Sequence, residues 1–330
     1  MKKVLVAMSG GVDSSTAALM LKKQGYKVAG VFFRIHKNYQ EPEKKAKMLA
    51  KQTGIPLYII DVSKDFRKKI IKYFLDGCKK GLTPNPCVVC NREIKFNFLF
   101  AKLKEFKYDY IATGHYAINK KSRIFEAKDK TKDQSYFLWK LNQKMLNKIL
   151  FPNGDFTKKE IRLIAKKQGL SSWDAAESQD ICFRVKFNKK PGQIRDTKGN
   201  IIGKHEGLWF YTIGQRKGIG LAGGPYHVIG KNIKNNILIV SKEEKDLLKK
   251  EVRFEDFNWL SNKKPKFPLK VRAKIRYRHE SASGMIKNKR YFVFDKPQRA
   301  VTPGQSIVFY LPAGRQVRAK EMLGGGIISP

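Results

Sequence analysis

The sequence predicts an α/β chain, a doubly wound parallel sheet followed by two small β-rich domains. Three observations carry that reading. Apolar runs at 4–8, 27–33, 55–60 and 108–112 alternate with helical periodicity at 16–24, 41–53, 66–80 and 94–106, as in strands joined by right-handed crossovers. From about Pro191 the helical period gives way to glycine-rich turns and short β-like runs at 207–214, 226–229 and 237–240. A lysine- and proline-rich stretch at 258–266 then reads as a linker, so the expected division is 1–190, 191–257 and 258–330.

The first strand stops in Ser9-Gly10-Gly11-Val12-Asp13-Ser14-Ser15, and a helix follows with Gly25 as its expected C-cap. Two glycines let the backbone approach a ligand closely, and the opening amides and dipole of the helix suit an anion. Ser9, Ser14 and Ser15 add hydroxyls, and Asp13 is placed to help hold a metal or the loop itself. No Gly-Lys-Ser/Thr follows the glycines and no Gly-x-Gly-x-x-Gly is present, which sets aside the two commonest phosphate loops. The segment resembles the PP-loop of ATP pyrophosphatases, which cleave ATP to AMP and pyrophosphate while adenylating a substrate. Ligands of doubly wound sheets sit beyond the carboxyl ends of the strands. That groups the loop with Phe33 and the turn at Thr113, Gly114, His115 and Tyr116 around one nucleotide. Further on, Thr157 and Glu160 form a capping-box pattern that opens a helix running to Gly169.

Of the 330 residues, 69 are Lys or Arg and 28 are Asp or Glu, a formal net charge of +41. A surplus that large points to a polyanion, nucleic acid first, with lysine-rich proteome bias as a part explanation. No stretch approaches the roughly 18 apolar residues of a membrane span, and the apolar N-terminal run is short for a signal peptide. A cytoplasmic protein is expected. Its cysteines, Cys78, Cys87, Cys90 and Cys182, then read as catalytic, redox-active or metal-binding rather than as disulfides.

In 269–278 apolar residues alternate with Lys270, Arg272, Lys274, Arg276 and Arg278, placing five cations on one face of a strand. With no compensating acid beside them, they read either as a phosphate-contacting surface or as a solvated outer face.

The loop 81–92 is stiffened by Pro84 and Pro86, and Asn85 or Asn91 could cap a helix. Cys90, near the expected start of the 94–106 helix and beside Arg92, is expected to have a lowered thiol pKa. Three readings stand open: a zinc site completed by Cys182 and a histidine, an iron–sulfur cluster on Cys87, Cys90 and Cys182, or a catalytic pair of Cys90 and Cys182 with one sulfur carried as a persulfide. Cys78 reads as a packed side chain.

Beyond the loop, further motifs occur in order: Thr83-Pro84-Asn85-Pro86 with Cys90-Asn91, Ala112-Thr113-Gly114-His115-Tyr116, Lys132-Asp133-Gln134-Ser135-Tyr136-Phe137-Leu138, Glu177-Ser178-Gln179-Asp180-Ile181-Cys182-Phe183 and Gly214-Gln215-Arg216-Lys217-Gly218. Together they resemble the tRNA-specific 2-thiouridylase family, MnmA or TrmU, along nearly the whole chain. The resemblance implies a β-barrel-like last domain and ATP with Mg²⁺ as cofactors. It implies adenylation of the wobble uridine O2 of tRNA, and sulfur transfer from a Cys182 persulfide with Cys90 as the nucleophile that resolves it. An iron–sulfur route remains the alternative. By the same resemblance Ala7, Met8, Ser9, Gly10, Gly11, Val12, Asp13, Ser14, Phe33 and Gly114 line the ATP site. Asn85, Pro86 and Cys87 face the target base. His115, Lys132, Asp133, Gln134, Arg276, Tyr277 and Gln305 contact tRNA. Partners implied are tRNA and a sulfur donor, a cysteine desulfurase or a relay protein, with a monomer as the default. The chain departs from the family at Cys87, where many members have Asp, at Phe33 in place of Met, and in 311–321, which looks longer than usual.

Overall fold

The computed structural model describes residues 1–36, 39–176, 181–260, 265–312 and 319–330. Its first sheet is wholly parallel. β1 (Lys3–Ala7) lies between β2 (Lys27–Arg34) and β4 (Tyr110–Ala112), with β3 (Leu57–Asp61) beyond β2 and β7 (Ile149–Leu150) beyond β4. Both faces are covered, which is why β1 is apolar from Val4 to Ala7. Leu5 joins the core on one side, with Val31, Phe96 and Ile111, while Val4 and Val6 join the other, with Leu21 and Leu49. Helices α1 (Val12–Lys23) and α2 (Gln40–Thr53) follow β1 and β2, and α2 ends at Gly54 in the left-handed conformation. The capping box at Thr157 is present and opens the helix Lys158–Lys167.

One helical run differs from expectation. It begins at Pro86 and continues unbroken through residue 105 as an α segment (Pro86–Cys90), a π segment (Asn91–Phe96) and a further α segment (Asn97–Glu105). The start is set by Asn85, whose side chain accepts from Cys87 N at 3.2 Å, with Pro86 at the first helical position.

β5 (Ile118–Lys120) and β6 (Arg123–Phe125) form a hairpin. The central sheet contains β8 (Gly192–Arg195), β9 (Ile201–His205), β10 (His227–Asn232) and β11 (Ile237–Ser241), in the order β10-β11-β8-β9. The expected β run at 207–214 is instead a 3₁₀ turn, Leu208–Phe210. Its large side chains do not alternate; Leu208 and Tyr211, three apart, are the two that enter the core.

The last sheet is antiparallel: β12 (Leu248–Trp259), β13 (Leu269–Lys274), β14 (Ala282–Asn288), β15 (Tyr291–Arg299), β16 (Ser306–Tyr310) and β17 (Glu321–Ile328) run in the order β12-β15-β14-β13-β16-β17 and close through β12–β17 pairing. The division drawn at residue 258 falls inside β12, whose pairing with β15 and β17 puts Leu248–Trp259 in the barrel. Of the expected linker, 261–264 lie outside the described residues, as does 313–318 of the 311–321 segment. The β5–β6 hairpin adds to the barrel sheet at Met322↔Ile124 and Glu321↔Phe125, so the first domain and the barrel share one hydrogen-bonded sheet.

Candidate functional site

The Ser9–Ser15 segment is a loop held from within. Ser9 N–H donates to Ser14 Oγ at 3.1 Å, and the Ser14 and Ser15 hydroxyls each donate to Gly11 O at 3.1 Å. Gly10 has φ +82°, and a Cβ there would lie 2.8 Å from Pro42 O, so the turn requires glycine. Gly11 is the N-cap of α1 and brings no capping side chain, which leaves the first helical amides without a side-chain cap and open to an anion. The side chains of Met8 and Val12 enter the hydrophobic core, so these two offer only backbone to a ligand.

Asp13 braces this loop. Its Oδ1 accepts from Tyr116 Oη at 2.7 Å and from Lys158 Nζ at 2.6 Å. Asn153 Nδ2 donates to both Asp13 O and Gly114 O, at 3.0 and 3.1 Å. A Cβ on Gly114 would stand 2.7 Å from the Asp13 carbonyl carbon and from Ser14 N. The loop and the turn after β4 therefore touch backbone to backbone. Phe33, at the end of β2, is half-buried and packs edge-on against Phe98 at 6.3 Å.

The four cysteines are free. Cys87 and Cys182 reach the surface and Cys90 is half-buried. Surrounding protein nevertheless disfavours the thiolate at each, pushing Cys90 up to about 12 and Cys87 and Cys182 upward. The thiols also act on one another: Cys182 and Cys87 raise Cys90, and Cys87 raises Cys182. Lys95 opposes the rise at all three. The expectation of a lowered Cys90 pKa is thus overturned. The helix begins at Pro86, so Cys90 lies inside it rather than before its first amides, and Arg92 turns away to Met145, Nη1 3.3 Å from Sδ.

Phe183, beside Cys182, is buried edge-on against Phe66 and Phe74 and anchors that segment; residues 177–180 of its motif lie outside the described residues. Among the described residues no three His, Cys, Asp or Glu side chains are grouped to hold a metal ion, so neither the zinc nor the cluster reading gains a ligand set. Cys78 is buried, with its thiol pushed up to about 11 by that burial.

The loop preceding the cysteines is bolted to the barrel. Thr83 N–H donates to Pro303 O at 2.9 Å, and Gln305 Nε2 donates to Thr83 O at 2.8 Å. Gln305 therefore spends a donor inside the protein. Other expected RNA contacts are likewise engaged within the protein. Asp133 is buried and accepts from Ala127 N, Ser135 N and Ser135 Oγ. Gln134 Oε1 accepts from Tyr116 N. Arg276 Nη2 donates to Ile213 O, Ala300 O and Thr302 Oγ1, joining the central domain to the barrel. His115 is buried, 2.6 Å from Thr113 Oγ1 and stacked on Phe96, and burial holds it well below the usual histidine range, hence neutral near pH 7.

The five-cation face is corrected in the same way. The strand ends at Lys274, and its apolar row, Val271 and Ala273 with Ile275 just beyond, is buried. Lys274 pairs with Glu126 at 3.1 Å and Asp133 at 3.3 Å, and Arg272 bonds Ser281 and Ser283. The compensating acids come from another domain. Lys132 and Tyr277, with Lys130, Thr131, Asp133 and Arg278, line an open hollow of about 430 Å³ at the first-domain–barrel junction.

Lys95, Asn153 and Lys158 escaped sequence reasoning, whereas Tyr116 was grouped with the nucleotide through its turn but not as a partner of Asp13. Only Lys158 carried a nearby signal, following the capping-box Thr157.

Family models match three successive parts of the chain: "tRNA methyl transferase HUP domain" over 2–186, "tRNA methyl transferase PRC-barrel domain" over 184–242 and "Aminomethyltransferase beta-barrel domain" over 249–328. The chain is 42% identical to a tRNA-specific 2-thiouridylase MnmA of Halothermothrix orenii, covering 99% of each chain. It is 42% identical to one of Acetivibrio thermocellus, again over 99% of each. To one of Clostridium perfringens it is 41% identical, over 99% of this chain and 98% of the relative.

Proposed function

The chain belongs to the tRNA-specific 2-thiouridylase family, and on that premise we propose that it thiolates C2 of the wobble uridine of tRNA at the expense of ATP. The observation that carries the reading is that two cysteine-bearing segments act on one another and share Lys95 with His115, in the turn whose Gly114 touches the braced phosphate loop. The domain descriptions name methyl transfer, but a pair of interacting thiols fits sulfur chemistry better than methyl chemistry.

In this reading the ATP phosphates lie against the Gly10–Ser14 backbone and the start of α1, and any Mg²⁺ accompanies the nucleotide. Uridine O2 bonds to the α-phosphorus of ATP as the linkage to the β-phosphate breaks and pyrophosphate departs, and the adenylated O2 is then a leaving group. Surface-exposed Cys182 suits loading by a desulfurase or relay protein. Its terminal sulfur bonds to C2 while the C2–O2 bond breaks, its electron pair departing with AMP. The Cys90 thiolate then attacks Cys182 Sγ, and the S–S electron pair passes to the sulfur on C2. A Cys90–Cys182 disulfide results, and an external thiol reductant returns two electrons to it. Asn85, fixed as a helix cap, and Cys87 stand beside this pair. Lys132 and Tyr277, lining the junction hollow, are the side chains best placed for RNA.

The test is single-turnover thiolation of a tRNA transcript with ATP and persulfide-loaded protein, read by mass spectrometry of nucleosides. Cys90→Ser and Cys182→Ser should each abolish 2-thiouridine while keeping the fold. Normal turnover by either variant would refute the two-cysteine reaction.

A further inference from the structure

The helix of residues 86–105 presents Cys87 and Cys90, three apart, on one face. Continued as an α-helix at about 100° per residue, it would carry the side chain five positions beyond Cys90 roughly 140° round the axis. The segment Asn91–Phe96 is π-helical instead, with Asn97 N–H returning to Arg92 O. Bonding at i→i+5 lowers the rotation per residue and so turns Lys95 toward the Cys90 side of the helix, and π turns of this kind concentrate at functional sites. The same turn sends the neighbouring side chains elsewhere: Asn91 donates to Phe137 O at 3.1 Å, and Arg92 goes to Met145.

Lys95 is half-buried, and among the described residues no carboxylate or hydrogen-bond acceptor engages its ammonium. Among the described residues it is the one cation that acts on Cys87, Cys90 and Cys182 alike, and it also acts on His115 of the turn after β4. Among the described residues, the other titratable groups that act on these sulfurs are the thiols themselves and the half-buried phenol of Tyr39, ahead of α2. None is basic.

We propose that Lys95 is a positioning residue for sulfur transfer, its ammonium held on the cysteine face by the π turn as counter-ion to the sulfur anions of Cys90 and Cys182. The proposal rests on the sulfur-transfer reading above. Surroundings that disfavour charge make an unpaired thiolate or persulfide anion costly, and a cation with no other partner stabilises the anion when it forms.

Lys95→Gln and Lys95→Arg are compared with the unaltered protein for the pH dependence of iodoacetamide alkylation at each cysteine, resolved by peptide mass spectrometry. Tm, ATP affinity and ATP-dependent thiolation are measured alongside. Removing the charge is expected to slow alkylation of Cys90 and Cys182 about tenfold at pH 8 and to move the profile to higher pH. Lys95→Arg, keeping the charge, should keep the profile. An unchanged profile in Lys95→Gln overturns the proposal, as does an arginine variant shifted as far as the glutamine one. A lower Tm with an unmoved profile would show a merely structural lysine. Failure of the unaltered protein to thiolate tRNA would instead overturn the sulfur-transfer reading, because alkylation needs neither ATP nor RNA.

Discussion

Lys158 Nζ lies 2.6 Å from Asp13 Oδ1, across 145 residues of sequence, and Tyr116 Oη donates to the same oxygen at 2.7 Å. The loop after β1, the turn after β4 and the helix opened by the capping box thus meet on one carboxylate. Lys158 is largely shielded and Asp13 about one-third exposed, so the pair is screened on one side only.

Lys158→Met is expected to lower stability by about 1–2 kcal/mol and to weaken ATP binding, because the loop loses its brace and the carboxylate a charge-assisted donor. Urea unfolding and equilibrium nucleotide binding measure the two effects. Unchanged nucleotide affinity would show that Tyr116 and Asn153 hold the loop without Lys158.

Gly114→Ala places a methyl 2.7 Å from the Asp13–Ser14 backbone. No flexible side chain is there to move aside, so the loop itself shifts. The expected outcome is loss of ATP binding by tenfold or more, from overpacking worth about 1–3 kcal/mol. Titration of nucleotide against the folded variant checks it, and wild-type affinity would mean that the loop does not bind phosphate in this conformation.

Lys231 on β10 faces Cys78, its Nζ buried without a hydrogen-bond partner, and burial pulls its pKa down to about 8. The unfolded value is about 10.4, so between these two pH values the unfolded chain binds more protons and stability rises with pH. Below pH 8 the lysine is charged in both states and its full cost is present. Lys231→Met is therefore expected to stabilise the protein at pH 7 by about 1–3 kcal/mol, with the gain shrinking as pH climbs from 8 past 10. Denaturation at pH 7 and pH 10 decides: an equal gain at both would place its origin in packing rather than charge.

Much of the first domain was legible because its signals are local. Strands buried on both faces must be continuously apolar, as Val4, Leu5 and Val6 are, and a capping box needs only Thr157 and Glu160. The early start of the 86–105 helix was partly legible too: Asn85 reads as a candidate cap beside Asn91, but the expected helix begins only at residue 94. The 207–214 run was misread because four large residues in sequence do not say which of them the core will take.

By itself, the sequence determined the doubly wound sheet, the glycine loop at the end of its first strand and the two cysteine segments, all of which are signalled by patterns local along the chain. Only the tertiary structure decided what surrounds them. It put Lys158 on Asp13, joined Glu126 and Asp133 to a strand that reads as freely basic, and closed the barrel with β12. It also replaced Arg92 with Lys95 as the cation at the thiols. Charge acts through space and burial, and neither is written in the spacing of residues along the chain.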